Sequence, residues 1–310
     1  MKYISILATL AVGALAKTKL LIPYYVYPFP ADRWQPLYTA IESNPDLIFQ
    51  VVVNAGPNGA RWADLPGGNC VADQDPDHGC NFDWRPAVAK LNTYNNVQTL
   101  GYVRTNYGNE PYDMMVNNIT IWSQWKDLAG TDISIHGIFF DETPNNNLAH
   151  PGGQTDVQIM KNVTDVARAR FSGVSNFSVV YNVGQKSNHD EYFTSGYADT
   201  VIVYEGCRIQ ETLPELPPPD NNCPGYNGQA TIDANVPAGQ AGKSSILVHH
   251  FADGPNTAQD LQALIDNIVA NGIQSAFILQ RTYERIWESE APANIGAVAS
   301  LFTAANAAHP

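Results

Sequence analysis

Ile135-His136-Gly137-Ile138-Phe139-Phe140-Asp141-Glu142 is apolar at nearly every position until it ends in two carboxylates. A strand of that kind is covered on both faces, as in a parallel sheet. Seven more β-branched and aromatic runs accompany His136–Glu142: Leu20–Tyr27, Phe49–Asn54, Thr99–Thr105, Ser178–Asn182, Thr200–Glu205, Ser245–Phe251 and Ser275–Gln280. Segments with helical spacing of apolar residues lie between them, around Trp34–Ile41, Trp84–Tyr94, Tyr112–Leu128, Asp156–Phe171, His189–Ser195, Ala258–Ala270 and Ile295–Ala307. The sixth connection holds only a weak helix beside the proline-rich stretch Leu213–Gly225. Eight such units predict an α/β fold, a single (β/α)8 TIM-type barrel over residues 17–310. An open doubly wound sheet is the alternative. No G-x-G-x-x-G follows the first run and no G-x-x-x-x-G-K-[ST] occurs, so its usual nucleotide crevice has no support.

Reactive groups of such a barrel gather where the strands end. The predicted ends carry Tyr24, Tyr25 and Tyr27; Asn54; Arg104, Thr105 and Tyr107; Asp141 and Glu142; Asn182; Glu205; His249 and His250; and Gln280. Alternation puts Ile138 and Phe140 on the helix-facing side and Gly137, Phe139 and Asp141 toward the barrel axis. Glu205 closes Val201-Ile202-Val203-Tyr204 in the same manner, but its parity leaves either direction open. An Asp141 that merely caps the next helix is the plain structural reading. A second acid at the same level favours chemistry, since apolar flanks and a neighbouring carboxylate both raise a carboxyl pKa. Two carboxyls across a groove suit glycosidic cleavage, one protonating the leaving oxygen while the other attacks or activates water. Tyr24, Tyr25, Tyr27, Trp34, Tyr102, Tyr107 and Tyr204 form an aromatic stock that would stack on sugar faces or fill the core.

No metal or cofactor is expected. Adjacent strand residues point to opposite faces, so at most one of His249 and His250 would face a common ion, and no H-x-H or H-E-x-x-H occurs. His249 is expected to contact substrate instead. A serine nucleophile lacks its G-x-S-x-G setting.

The chain has 310 residues, 44% of them hydrophobic, with 17 basic against 30 acidic residues and a formal charge of -13. That field repels nucleic acid and acidic membrane surfaces. Residues 1–16 read as a signal peptide: Lys2, an apolar run from Ile4 to Leu15, and Ala14-Leu15-Ala16 before the cut. The expectation is a secreted, extracellular or wall-associated monomer, since no other stretch is apolar enough to span a bilayer. Cys70, Cys80, Cys207 and Cys223 suit an oxidising compartment; of three pairings, Cys70–Cys80 and Cys207–Cys223 close the shortest loops. Asn118, Asn162 and Asn176 head N-x-S/T triplets and are candidate glycan acceptors.

Four stretches in order carry a family likeness: Leu20-Leu21-Ile22-Pro23-Tyr24-Tyr25-Val26-Tyr27-Pro28, Val53-Asn54-Ala55-Gly56-Pro57-Asn58-Gly59, Leu100-Gly101-Tyr102-Val103-Arg104-Thr105-Asn106-Tyr107-Gly108, and Gly137–Glu142. They resemble the spherulin-4-like proteins, which include fungal glycoside hydrolases of family 135. The resemblance implies a (β/α)8 barrel that cleaves α-1,4-linked N-acetylgalactosamine in galactosaminogalactan of the fungal cell wall. It implies a catalytic pair at Asp141 and Glu142 and a further glutamate at Glu205. Tyr25, Tyr27, Asn54, Tyr102, Arg104, Tyr107, Asn182, His249 and Gln280 are the expected substrate contacts. The loop between Cys207 and Cys223, with Pro217-Pro218-Pro219, departs from the family pattern beside Glu205. Chitinase-type barrels are similar in outline but carry D-x-x-D-x-D-x-E, whose aspartates would fall on Ile135, Ile138 and Phe140. A noncatalytic polysaccharide-binding wall or spore-coat protein is the alternative to an enzyme.

Overall fold

The computed structural model describes residues 16–28, 30–54, 84–127, 130–150, 152–212, 222–251, 257–280 and 294–309. Eight parallel strands close into a barrel: β1 (Lys19–Tyr24), β2 (Phe49–Val53), β3 (Val97–Arg104), β4 (Gly137–Asp141), β5 (Ser178–Asn182), β6 (Thr200–Cys207), β9 (Ser244–His249) and β10 (Ser275–Ile278), with β10 returning to pair with β1. The helices are α1 (Gln35–Ser43), α2 (Trp84–Asn92), α3 (Tyr112–Gln124), α4 (Asp156–Arg170), α5 (Gln229–Asn235), α6 (Thr257–Ala270) and α7 (Ile295–Ala308). The expected (β/α)8 architecture is therefore present.

Local chemistry accounts for the elements. The run Phe49–Val53 is buried throughout, as a strand covered on both faces must be. α4 opens on a capping box, in which Thr155 accepts from Gln158 N and the Gln158 side chain reaches back to Thr155 N, and it ends with Arg168 and Arg170 where the helix dipole favours cations. The last helix is tied to the first strand by a reciprocal pair: Thr18 N donates to Asn306 Oδ1 and Asn306 Nδ2 donates to Thr18 O, both at 2.9 Å.

Two connections differ from their sequence reading. His189–Ser195 makes only a single 3-10 turn at Asp190–Phe193, because Thr194 is already extended and Gly196 takes a positive φ. The sixth connection carries an antiparallel ribbon, β7 (Glu211–Thr212) with β8 (Asn222–Cys223), followed by α5. The Cys207–Cys223 disulfide closes this connection. Cys70, Cys80, the triprolyl stretch, Ala55–Gly59 and residues 1–15 lie outside the described residues. Among those described, no helix is long and apolar enough to cross a membrane.

Of the three candidate glycan acceptors, Asn118 is buried on α3, 2% exposed. Asn176 is exposed and Asn162 half-buried. Glycopeptide mapping of the chain expressed through a eukaryotic secretory route is expected to find Asn176 occupied and Asn118 bare.

α3 lies close on β3. A Cβ at Gly101 would stand 2.6 Å from the Trp122 ring, whose Nε1 donates to Tyr102 O at 2.9 Å. Gly101→Ala must push that indole off the strand. It is expected to lower stability by about 1–3 kcal/mol, read as a lower urea midpoint at unchanged slope.

Candidate active site

Register and alternation carry the acids to one end of the barrel. Arg104 at the end of β3 pairs with Asp141 at the end of β4, and Phe140 pairs with Tyr181, one residue before Asn182. Phe140 meets the Tyr181 ring edge-on, and the Tyr181 hydroxyl reaches Met160 O and Thr164 Oγ1 on α4, so both face the helices. Phe139 stacks on Tyr102 on the opposite face. Asp141 follows that face inward, as its parity required.

Glu205 points inward for a reason that parity could not supply. The β6–β9 register slips between Ile202 and Tyr204, leaving Val203 as an extra residue, and the alternation restarts beyond it. Tyr204 consequently faces outward, its hydroxyl donating to Pro224 O at 2.8 Å and its ring meeting Tyr226. Tyr204 therefore leaves the rim set. Tyr24 and Trp34 leave it too: both are fully buried, meet edge-on at 5.0 Å, and the Trp34 Nε1 is bound to Val26 O. Tyr25, Tyr27, Tyr102 and Tyr107 remain, with Tyr27 edge-on to Trp84 and Tyr107 60% exposed.

Asp141 is held from two sides. The Tyr102 hydroxyl donates to Oδ2 at 2.6 Å and Asn182 Nδ2 donates to Oδ1 at 2.8 Å. The same Asn182 nitrogen donates to Glu205 Oε2 at 3.1 Å, so one amide bridges the two carboxyl groups. Asn182 Oδ1 is buried and has no protein partner. The Glu205 carboxyl is pushed up from 4.5 to about 7, first by burial and then by the charge of Asp141, while the Asn182 bond works the other way. Burial, followed by the charges of Asp141, Glu205 and Glu142, holds the Tyr25 hydroxyl well above its ordinary value, so it keeps its proton. Tyr102 is raised likewise, by burial and then by Asp141.

Glu142 takes a different part. It sits in the left-handed region at φ 53°, which swings it off the strand alternation and onto Arg104, whose Nε donates to Oε2 at 2.6 Å and Nη2 to Oε1 at 3.3 Å. Backbone bonds hold this turn: Thr105 Oγ1 reaches the carbonyls of Asp141 and Glu142, Tyr107 N donates to Glu142 O, and Thr143 N donates to Asn182 O. Thr105, whose hydroxyl and amide both serve that turn, was legible only as a strand end. Asn54 is buried at the close of β2, and Gln280 is half-buried just past β10.

His249 ends β9, 8% exposed. It packs against the Cys207–Cys223 disulfide, with its Nδ1 3.6 Å from Cys207 Sγ, and burial followed by the neighbouring His250 lowers it to about 4. The rule that adjacent residues diverge also fails there. His250 adopts φ 54°, and its Nδ1 comes to 3.2 Å from that of His249 and 3.1 Å from Cys207 Sγ.

A (β/α)8 barrel with acidic side chains gathered at the carboxyl rim of its strands is the class of protein that fold and site define. Within that class the chain belongs to the Spherulin4 family, spherulation-specific family 4, whose model matches residues 19–298. Among solved structures it is similar to Aspergillus clavatus Sph3 in complex with GalNAc, at 22% identity and TM-score 0.66, covering 93% of this chain and 98% of that one. An endo-1,4-beta-mannanase from Rhizomucor miehei (9% identity, TM-score 0.52, 97% of each chain) and the catalytic domain of a beta-amylase from Paenibacillus polymyxa (7%, 0.51, 95% of this chain and 100% of that one) share the barrel. No curated protein sequence matches the chain.

A raised carboxyl pKa has a consequence for stability. Between the ordinary value of 4.5 and about 7 the folded chain holds a proton on Glu205 that the unfolded chain has released, so stability falls as pH rises through that window. Glu205→Gln removes the penalty. Allowing for solvent at the rim, the variant is expected to gain on the order of 1–2 kcal/mol relative to the parent at pH 8 compared with pH 4, read by urea titration at both.

Proposed function

We propose that the chain is a secreted, endo-acting glycoside hydrolase that cleaves α-1,4-linked N-acetylgalactosamine in galactosaminogalactan by a two-carboxylate mechanism. The observation that carries this reading is the Asn182 bridge between an inward Asp141 and a Glu205 that keeps its proton up to about pH 7. One acid is tuned to give a proton while its neighbour, fed by Tyr102 and Asn182, is held for attack. The GalNAc bound to Sph3 supports the choice of sugar, as do the motifs shared with the spherulin-4-like proteins.

In this mechanism Glu205 delivers its proton to the departing glycosidic oxygen and the Asp141 carboxylate forms a bond to the anomeric carbon. Glu205, now ionised, then takes a proton from the water that displaces Asp141. In an α-linked 2-acetamido galactoside the acetamido group lies cis to the leaving oxygen and cannot attack from behind, so the protein supplies the nucleophile. The shared amide brings one oxygen of each carboxyl group within hydrogen-bonding reach of a single nitrogen, a close approach that favours the retaining course. Glu142, paired with Arg104, orients substrate and sets the field beside Asp141. Tyr27 and Tyr107, exposed at the rim, offer rings to the sugar faces.

Asp141→Asn and Glu205→Gln are each expected to lower reducing-end release from galactosaminogalactan by about 10²-fold or more, with the fold intact. Turnover by the parent is expected to fall as pH rises through about 7, where Glu205 loses its proton, and that limb should vanish in Glu205→Gln. A chain that binds the polysaccharide equally before and after both changes and never releases reducing ends is a binding protein, and the proposal fails.

A further inference from the structure

A second cluster of reactive side chains sits where β6 and β9 end. We propose that Cys207, Cys223, His249 and His250 form a tetrahedral site for one thiophilic divalent ion, zinc in the first instance, which opens when the Cys207–Cys223 disulfide is reduced. One ligand atom from each of the four residues can be chosen so that all lie within 4.8 Å of one another. A tetrahedral zinc with bonds of about 2.3 Å to sulfur and 2.0–2.1 Å to nitrogen places sulfur about 3.5 Å from nitrogen and the two nitrogens about 3.4 Å apart. Here Cys207 Sγ stands 3.6 Å from His249 Nδ1 and 3.1 Å from His250 Nδ1, Cys223 Sγ stands 4.0 Å from the same His249 Nδ1, and the two Nδ1 atoms are 3.2 Å apart. Both imidazoles are already at ligand spacing from Cys207 Sγ and from each other, and Cys223 Sγ lies within 4.8 Å of the chosen atom of each.

The backbone holds this arrangement without help from the disulfide. Cys207 and His249 are direct partners on the adjacent strands β6 and β9. His250 is turned back toward them by its left-handed conformation. Cys223 is kept beside Cys207 because Cys207 N donates to Pro224 O and Tyr226 N donates to Cys207 O, each at 2.8 Å. Neither bond involves a sulfur atom. The chemistry of the set also suits burial: Cys207 is 0% and Cys223 4% exposed. Two thiolates and two neutral imidazoles around a dication carry no net charge, which limits the cost of enclosing them.

A dithiol, or a phosphine in the laboratory, gives two electrons to the disulfide and is itself oxidised; two protons complete the two thiols. Binding the dication then expels both protons, leaving the sulfurs as thiolates. Disulfide and metal are thus alternative fastenings for the end of the strand that carries Glu205.

The test uses the full secreted chain with cobalt(II) as the probe, under anaerobic conditions, before and after treatment with tris(carboxyethyl)phosphine and its removal. The reduced chain is expected to bind one cobalt per molecule, with thiolate-to-cobalt charge transfer and the intense visible bands of tetrahedral cobalt, and zinc should displace it. The oxidised chain should bind none at this site. Cys70→Ser with Cys80→Ser should leave the signal unchanged, whereas His249→Ala and His250→Ala should each weaken binding at least tenfold. Where reduction alone loosens the chain, zinc present during reduction should preserve its near-ultraviolet circular dichroism. The proposal is overturned by a reduced chain that shows no tetrahedral cobalt, by equal uptake with the disulfide intact, by indifference to both histidine changes, or by zinc that fails to protect.

Discussion

A parallel sheet closed into a barrel has no edge, and each of its strands is buried on both faces; the rest of this protein follows from that constraint. Every polar side chain on a barrel strand must find a partner, stand at an end, or incur a desolvation penalty. Along the barrel, Gln50 answers Gln98 and Ser275 answers Ser245. Thr99, Ser178, Thr200 and Ser244 add small hydroxyls, Lys19 stands at the amino end of β1, and Arg104, Asp141 and Glu205 stand at or near the carboxyl ends. Their concentration there is a consequence of closure as much as of chemistry.

At that rim the backbone abandons regular strand geometry in several places. Glu142, His250, Asn106 and Tyr107 all take positive φ without being glycine, and Val203 is an extra residue in β6. Such conformations cost energy and persist where surrounding bonds over-determine them. Around Glu142 those bonds are visible: Thr105, Tyr107 and Arg104 converge on residues 141 and 142. Each departure re-aims a side chain that alternation would have sent elsewhere. Glu142 reaches Arg104, Glu205 turns into the barrel, and His250 turns to the sulfurs.

The Asp141–Asn182–Glu205 chain shows how two acids share a confined space. Burial and Asp141 raise Glu205, so the pair carries one proton near neutrality, and a neutral amide rather than a cation spans them. An arginine in that position would stabilise both ionised forms and remove the acid. Arg104, at the end of the neighbouring strand, is committed to Glu142 instead. This separation of partners lets adjacent carboxylates in one motif differ in their work.

The sequence by itself determined the eight strands, their parallel order and the inward aim of Asp141, because two-faced burial and the two-residue period of a strand are written in residue type. Boundaries moved by a few residues at most on the barrel strands, and Ser178–Asn182 did not move at all. It also made the pairing of Cys207 with Cys223 the economical choice, through loop length. What it did not contain was anything that depends on a register shift or a single left-handed residue. Residue types around Val203 and His250 carry no mark of either, since both arise from how β6 and β9 must fit against each other once the barrel closes. Tertiary structure therefore decided the direction of Glu205, the removal of Tyr24, Trp34 and Tyr204 from the rim, and the meeting of two histidines that strand alternation would have kept apart.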